Sequence, residues 1–376
     1  MLRTVGIYVY TEIKTKGQLK KTMKHLNMSN KTCYLDAANP GSPAVSASMF
    51  AAGVLGNIFA LFLLEIRRRR KSRSLFHVLV TALVITDLLG TLAVSPLVLA
   101  AYVRKESLVE MGGTALCNHF GFSMTFFSLA TLSILLAMAV ERWLSIGHAY
   151  FYEKYMTKRW GYYTIPLTYL VCFAFCSLPF AGVGKYVLYC PGTWCFFDMH
   201  PQKRLEQVYA GAYASAMLVM IVCTVLCNGS VSYNLFGMYR RRKNNHGSFR
   251  GPRGRKRYES ITKEVEHLIL LVVMTVCFVV FSLPLVIQVY MNFFRIDNHQ
   301  QDLRMLRLLS FNSIVDPWVF IILSPSVLRF LWGKLCRRQQ TPASEESTFR
   351  TMRACRLGPP IDAHKLPAHT ARALCL

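Results

Sequence analysis

Residues 302–323 read DLRMLRLLSFNSIVDPWVFIIL. The second half of this stretch is apolar enough for a membrane helix, yet it contains Asp316 and Pro317, and Arg307 precedes it. Ionisable groups inside a bilayer are costly, so they usually face a protein interior or a wet cavity and have a function there. Alternatively, Arg307 lies at the helix end and extends its guanidinium to the lipid headgroups.

The composition is that of a membrane protein. Of 376 residues, 53% are hydrophobic, and the mean hydropathy is +0.31. A soluble domain of this length is rarely so apolar. The net charge of +25 is carried by short basic runs between apolar segments, without interleaved aromatic residues. This pattern indicates membrane topology and argues against nucleic acid as a partner.

No motif predicts an enzyme. The chain has no GxxxxGK[ST], HExxH or GxSxG motif, and its cysteines show neither a CxxC pair nor a Cys/His cluster with zinc spacing. We therefore expect no catalytic residues, no cofactor and no metal centre. Five cysteines lie within apolar segments, where thiols act as small hydrophobic groups: Cys172, Cys176, Cys223, Cys227 and Cys277.

Seven apolar stretches are each long enough to cross about 30 Å of hydrocarbon. We predict spans at approximately 44–66, 75–101, 115–146, 161–182, 207–238, 264–291 and 304–323. The predicted fold is an all-α membrane protein, a seven-transmembrane helix bundle over 44–323 with an extracellular N-terminal segment at 1–43. An odd number of spans argues against the two inverted halves of a transporter.

The orientation follows from the loops that are rich in Lys and Arg, which face the cytoplasm. These are the alternate loops at about 67–73, 154–159 and 240–257, which follow the first, third and fifth spans, and the N-terminus is therefore predicted to be extracellular. Asn27 and Asn30 are then candidate glycosylation sites. Asn228 also lies in an Asn-x-Ser tripeptide, but it is within the fifth span and is expected to be unmodified. The third loop, about 240–262, is predicted to be a flexible basic linker that contacts anionic lipid or a protein partner.

The chain after the seventh span divides into two predicted parts. Residues 324–338 have the pattern of a short amphipathic membrane-surface helix. Cys336, near its end, is a candidate for lipidation by palmitate. Residues 339–376 are polar and are predicted to be a disordered cytoplasmic tail.

Two sets of charged residues are candidates for a conformational switch. Asp87 and Asp316 are both predicted within the membrane, where they suggest either a wet polar core that holds a cation or shares a proton, or a structural hydrogen-bond network. Glu141 and Arg142 lie at the inner end of the third span. They either pair to hold one conformation or only anchor the helix at the interface.

Four cysteines face the oxidising side of the membrane in this topology. A bridge between Cys117 and Cys195 would hold the second outer loop over the mouth of the bundle. That bridge would leave Cys33 and Cys190 as the two remaining outer cysteines, and a second bridge between them would leave no outer cysteine unpaired.

Several of these features together resemble the rhodopsin-like G-protein-coupled receptors, over about 44–336. They are Gly56-Asn57, Asp87, Cys117, Cys195, Glu141-Arg142, Pro284 and Asp316-Pro317, in the expected order. The outer-loop sequence PGTWCF (191–196), Arg307, DPWVF (316–320) and FSLP (281–284) resemble the prostanoid receptors. Within that family, SLFHVLV (74–80), TDLLGT (86–91), MTFFSLA (124–130) and YCPGTWCF (189–196) are similar to receptors for prostaglandin E2.

The resemblance implies a ligand site for a prostanoid, with prostaglandin E2 expected. Arg307 would pair with the ligand carboxylate, and Thr193 and Tyr102 would add hydrogen bonds to it. Met124, Ser128, Trp194 and Ser310 would contact the ring and chain, although plain packing is an equal alternative for Met124 and Trp194. Arg307 and Asp316 are nine residues apart, about 13.5 Å on a straight helix, so they cannot pair with each other.

The resemblance also implies a plasma-membrane receptor that couples to a heterotrimeric G protein of the stimulatory class and raises cyclic AMP, with arrestin as a further partner. Glu141, Arg142, Asp87, Asp316 and Pro317 would form the switch. Two departures lie at the cytoplasmic face: Trp143 and Ala149 stand where the family usually has tyrosine and proline. The alternatives are a receptor for another prostanoid or lipid acid, and an organic-anion transporter that uses Arg307 as the counter-charge.

Overall fold

The computed structural model describes residues 43–70, 74–155, 158–190, 192–244, 252–293 and 299–323. Within these ranges, seven helices are long and apolar enough to cross a membrane, which confirms the predicted seven-span fold. The spans, numbered in chain order, are Pro43–Ile66, Leu75–Arg104, Leu108–Gly147, Tyr162–Ala181, Arg204–Met238, His267–Phe293 and Gln301–Leu323. The predicted features at Asn27, Asn30, Cys33, Cys336, 324–338 and 339–376 lie outside the described residues.

Several helices extend beyond the apolar spans. The first helix is Pro43–Arg70, the fifth span belongs to Arg204–Asn244, and the sixth belongs to Pro252–Phe293. The prediction of a flexible linker over 240–262 is therefore wrong for 240–244 and 252–262, which are helical. Arg and Lys are good helix formers, so the helices continue past the ends of their apolar segments.

Shorter elements connect the spans. A helix at Ala149–Tyr155 follows the third span, and the fourth span comprises a helix, Lys158–Ser177, and a 3-10 turn, Leu178–Ala181. A β-hairpin then joins the fourth span to the fifth. Its strands are β1, Tyr186–Tyr189, and β2, Trp194–Phe197.

The third span is the centre of the bundle. It contacts the second, fourth, fifth and sixth spans and both strands of the hairpin. Phe120, Leu132, Leu135 and Met138 on this helix are among the most deeply buried side chains of the described chain. The fourth span is the least buried of the seven. It exposes apolar side chains that suit a lipid environment, including Leu167, Leu170 and Val171.

The third helix begins at Leu108, earlier than the predicted 115. Ser107 caps it: its hydroxyl accepts from Glu110 N, and the Glu110 carboxylate accepts from Ser107 N at 2.7 Å. This reciprocal capping box starts a helical turn. Gly112 and Gly113 then leave the helical conformation. The outer end of the third span is thus a capped turn followed by a kink.

The seventh span is two helices, His299–Ser310 and Asn312–Leu323, separated at Phe311. Both the sixth and the seventh span remain helical through their prolines, Pro284 and Pro317. Pro317 cannot donate to the carbonyl of Ser313, four residues earlier. Asn57 Nδ2 donates to that carbonyl at 3.0 Å, so the first span replaces the missing hydrogen bond.

Gly56 allows the first and seventh spans to approach closely. A Cβ at this position would lie 2.9 Å from Nε1 of Trp318 and 3.3 Å from Cγ of Pro317. The Trp318 indole donates to the carbonyl of Ala52 at 3.2 Å. The Gly56-Asn57 pair therefore packs directly on Pro317-Trp318, and this contact holds the inner half of the seventh span.

Candidate functional site

The β-hairpin is fixed to the outer part of the third span. Its strands pair antiparallel, with Tyr186 opposite Phe197 and Tyr189 opposite Trp194. A disulfide joins Cys195 to Cys117, as predicted. Cys190 is disulfide-bonded as well; its predicted partner, Cys33, lies outside the described residues. The hairpin is thus a cross-linked element and not a free loop.

Close packing and hydrogen bonds add to the disulfide. The backbone N–H of Leu108 donates to the carbonyl of Gly192 at 2.9 Å, and Gly192 has a φ of 97°, in the left-handed region. The Tyr186 hydroxyl donates to the carbonyl of Cys176 at 2.8 Å. Burial raises the pKa of Tyr186 to about 12 and that of Tyr189 well above its usual range, so both phenols remain neutral donors at physiological pH.

A cavity of about 90 Å³ lies beneath the hairpin, between the first, second, third, sixth and seventh spans. Met124, Ser128, Trp194 and Ser310, all predicted to contact the ligand, line it together. Asp87 lines the same cavity. The remaining lining residues are mostly small or apolar: Ser46, Met49, Thr86, Gly90, Thr91, Val94, Ser95, Val98, Ser123, Phe127, Thr131, Phe278, Leu309, Asn312, Ser313 and Ile314.

The three residues predicted to bind a carboxylate lie next to lining residues on the outer side. Arg307 is three residues outward from Ser310 and Tyr102 is four residues outward from Val98, spacings that place side chains on one helix face. Thr193 directly precedes Trp194. None of the three lines the cavity itself; because each adjoins a lining residue in the chain or on a helix face, we refer to the three together as its outer rim.

Two polar groups of this rim have no partner within the described residues. The Arg307 side chain is half-buried and makes no hydrogen bond or ion pair with any described residue. The Thr193 hydroxyl is buried and also lacks a hydrogen-bond partner in the described chain. Buried polar groups are normally paired, so a half-buried guanidinium and an unpaired buried hydroxyl indicate a site for an anionic or acceptor group.

The hydroxyls deeper in the cavity are already engaged. Ser128 Oγ donates to the carbonyl of Met124 at 2.8 Å and lies 2.6 Å from the Tyr213 hydroxyl. Ser310 Oγ donates to the carbonyl of Leu306 at 3.2 Å. Sequence reasoning missed Tyr213, because nothing in the apolar fifth span distinguishes this tyrosine from its neighbours. A ligand that bonds to Ser128 must share or replace the Tyr213 contact.

Asp87 and Asp316 are both buried, at 2% and 0% exposure. Asp87 Oδ1 accepts from Thr131 at 2.9 Å. Neither oxygen of Asp316 accepts a hydrogen bond from the described residues. No cluster of three or more His, Cys, Asp or Glu side chains suited to a metal occurs in the described ranges. Asp87, at the cavity, and Asp316 are therefore two buried carboxylates whose hydrogen-bonding capacity is only partly satisfied within the described chain.

At the end of the third span that is predicted to face the cytoplasm, Glu141 and Arg142 are bonded to each other and both are buried. Arg142 also lies over the Phe76 ring, 4.8 Å from its centroid. The Tyr152 hydroxyl, from the short helix after the third span, donates to Glu141 Oε1 at 2.7 Å. Sequence reasoning predicted the pair but missed Tyr152, which gives no periodic signal in its polar loop.

The chain is similar to known seven-transmembrane receptors along most of its length. The family described as "7 transmembrane receptor (rhodopsin family)" matches residues 56–320. The prostaglandin E2 receptor EP2 subtype of Homo sapiens is 49% identical over 318 residues, which cover 80% of this chain and 87% of that protein. The same receptor of Mus musculus is 47% identical over 332 residues, covering 82% and 90%.

Other similar proteins are named as receptors for different prostanoids. The prostaglandin D2 receptor of Mus musculus is 44% identical over 322 residues, covering 79% of this chain and 90% of that receptor. Among solved structures, squid rhodopsin superposes with a TM-score of 0.66, covering 88% of this chain and 94% of that chain. At 15% sequence identity, this last similarity concerns the fold alone.

Proposed function

We propose that this chain, which belongs to the rhodopsin family of seven-transmembrane receptors and within it to the prostanoid receptors, is a receptor for prostaglandin E2. The proposal includes coupling to the stimulatory class of heterotrimeric G protein and a rise in cyclic AMP. It is supported by the identity to the EP2 subtype receptors along most of the chain.

One observation carries the ligand assignment: the half-buried Arg307 has no ionic partner in the described chain, and the buried Thr193 hydroxyl next to Trp194 has no hydrogen-bond partner there. A guanidinium that is not neutralised by the protein favours a ligand carboxylate, which it can bind through two parallel hydrogen bonds. The mixed lining beneath this rim, of apolar and small hydroxyl-bearing side chains, suits a prostanoid, which has both apolar chains and ring oxygens.

The ligand must enlarge the cavity in order to bind. Sites for small molecules usually measure about 300–1,000 Å³, whereas this cavity has about 90 Å³. Lining side chains or spans therefore move outward when ligand binds. An agonist shifts the population toward an active arrangement only by as much as it binds that arrangement more tightly.

We assign the contact with the G protein to Arg142. It is held by Glu141 in the structure. Release of this pair would free Arg142 for a cytosolic partner. Asp87, which lines the cavity, and Asp316 and Pro317, on the second helix of the seventh span, are the proposed switch residues between the ligand and that end. Arrestin recruitment, plasma-membrane location with an external N-terminus, glycans at Asn27 and Asn30 and palmitate on Cys336 are parts of the same proposal.

The test is a cyclic AMP assay in cells that express the full chain at the surface. Prostaglandin E2 is expected to be more potent than prostaglandin D2 or a stable prostacyclin analogue. A greater potency of either competitor would assign the receptor to another prostanoid. No cyclic AMP response to any of them, with normal surface expression, would contradict the proposed coupling. Ligand uptake without signalling would favour the transporter alternative.

A further inference from the structure

A short helix, Ala149–Tyr155, follows the third span at the end that is predicted to face the cytoplasm. None of its seven residues is buried. Phe151 is 47% exposed and Tyr155 is 51% exposed. Exposed aromatic side chains that lie together usually mark a contact with another protein or with a membrane. This short helix is therefore a candidate contact surface.

Phe151 and Tyr155 share one face of the short helix, which we call the aromatic face. They are four residues apart, and their ring centroids lie 4.8 Å from each other. Tyr152 points elsewhere, because its hydroxyl donates to Glu141 Oε1 at 2.7 Å. Glu153 is exposed and lies two residues from each aromatic ring, about 200° around the helix axis, so it is on the opposite face. The short helix thus has an aromatic face that is separate from its contact with the third span.

A hydrogen bond connects the aromatic face to the fourth span. The indole Nε1 of Trp160 donates to the carbonyl oxygen of Tyr155 at 2.9 Å. Trp160 lies two residues before the fourth span, which begins at Tyr162. The end of the short helix is therefore at the level at which the fourth span enters the membrane.

The fourth span begins with exposed aromatic side chains and continues with exposed apolar ones. Trp160, Tyr163, Leu167 and Leu170 are all exposed, and their spacing of three, four and three residues places them on one side of the helix. Tryptophan and tyrosine concentrate at the boundary between water and the hydrocarbon core. This side of the fourth span therefore has the pattern of a surface in contact with lipid.

We propose that Phe151 and Tyr155 form a membrane contact, in which the short helix lies on the inner surface of the bilayer with both rings beside Trp160. The hydrogen bond from Trp160 favours lipid over a cytosolic protein, because it joins the aromatic face to the lipid-facing side of the fourth span. The Lys154 ammonium, 5.2 Å from the Tyr155 ring centroid, can extend to lipid phosphates. Aromatic side chains with an adjacent lysine are typical of helices that lie in the interface.

The same membrane contact restrains the Glu141–Arg142 pair. Tyr152 belongs to the short helix, so a bilayer that holds this helix also keeps the Tyr152 hydroxyl at Glu141. Detachment of the short helix from the bilayer would withdraw this donor and weaken the hold of Glu141 on Arg142. This restraint rests on the proposed signalling function, whereas the lipid contact does not.

The lipid contact is tested by photo-crosslinking of the purified full chain in phosphatidylcholine nanodiscs, with mass spectrometry of the products. Phe151→p-benzoylphenylalanine should form lipid adducts on illumination. Glu153→p-benzoylphenylalanine, on the opposite face, is the matched control and should form few or none. Equal lipid labelling of the two variants would overturn the proposal. Crosslinking of the Phe151 variant to an added stimulatory G protein in place of lipid would also overturn it, since the aromatic face would then be a protein contact.

The restraint is tested by agonist-independent cyclic AMP at equal surface expression. Phe151→Ser combined with Tyr155→Ser should raise it about two- to ten-fold, whereas Phe151→Trp, which keeps an interfacial ring, and Glu153→Gln should not. In a Tyr152→Phe background the two serine substitutions should add nothing, because they act through the same hydroxyl. An unchanged basal level in the serine variant would overturn the link to Glu141. Lipid adducts at position 151 without a cyclic AMP response to any prostanoid would support the membrane contact and count against the proposed coupling.

Discussion

Replacement of Gly121 by alanine should loosen the hairpin from the third span. The new Cβ would lie 2.5 Å from Cδ1, 2.8 Å from Cγ and 3.1 Å from Cβ of Tyr186. These atoms are at the base of the side chain, and the distal hydroxyl is held by Cys176 and lies 3.1 Å from Thr125. Rotation of the ring therefore cannot relieve the contact, and β1 or the helix must move.

The size of the effect follows from two opposing contributions. Overpacking a well-packed site costs about 1–3 kcal/mol. Alanine in place of glycine within a helix contributes about 0.5–1 kcal/mol in the opposite direction. The net loss of stability is then about 0–2.5 kcal/mol, or a decrease of up to about 10 °C in the unfolding midpoint.

Gly229→Ala is the matched control. Gly229 lies within the helix of the fifth span, is exposed, and has no atom within 4 Å of a built Cβ. The Gly229→Ala protein should gain only the stabilisation from alanine in place of glycine within a helix, and it should unfold at the wild-type temperature or slightly above it. Thermal unfolding of the purified Gly121→Ala and Gly229→Ala proteins measures both shifts in the unfolding midpoint. If Gly121→Ala is as stable as Gly229→Ala, the reasoning about the hairpin anchor is refuted.

Two further predictions concern hydroxyl groups at opposite ends of the bundle. Thr193→Val should lower the affinity for prostaglandin E2 about ten-fold in competition binding, since one hydrogen bond to a charged group is lost, while Thr193→Ser retains most of it; equal losses would contradict a hydrogen-bonding role. Tyr152→Phe removes the donor that lies 2.7 Å from Glu141. It should raise agonist-independent cyclic AMP about two- to ten-fold at equal surface expression, and an unchanged basal level would count against Tyr152 as a restraint.

The number and order of the spans follow from the sequence for simple reasons. An apolar run must be about 20 residues long to cross the bilayer, and all seven runs satisfy this condition. The disulfide between Cys117 and Cys195 was also predicted, because topology places both on the oxidising side. Met124, Ser128, Trp194 and Ser310 were predicted as ligand contacts from the family resemblance, and they line one cavity.

What the sequence did not reveal depends on contacts between distant residues. The seventh span divides at Phe311, whereas Pro317 is accommodated because Asn57 donates to the carbonyl of Ser313. Helical periodicity within one segment contains no information about such a donor in another span. The same holds for Gly121, whose importance arises from Tyr186. The linker prediction failed for 240–244 and 252–262 because apolar content marks the membrane span and not the full length of the helix.

The central claim is that Arg307 binds the carboxylate of the ligand. The most direct test compares Arg307→Ala with Arg304→Ala, an exposed arginine one turn earlier on the same helix, using prostaglandin E2 and its uncharged methyl ester. Loss of the partner of a buried charge costs about 2–5 kcal/mol. Arg307→Ala should therefore weaken acid binding at least about 30-fold, with little change for the ester and none in Arg304→Ala. Wild-type affinity of Arg307→Ala for the acid, at normal surface expression, would contradict the account.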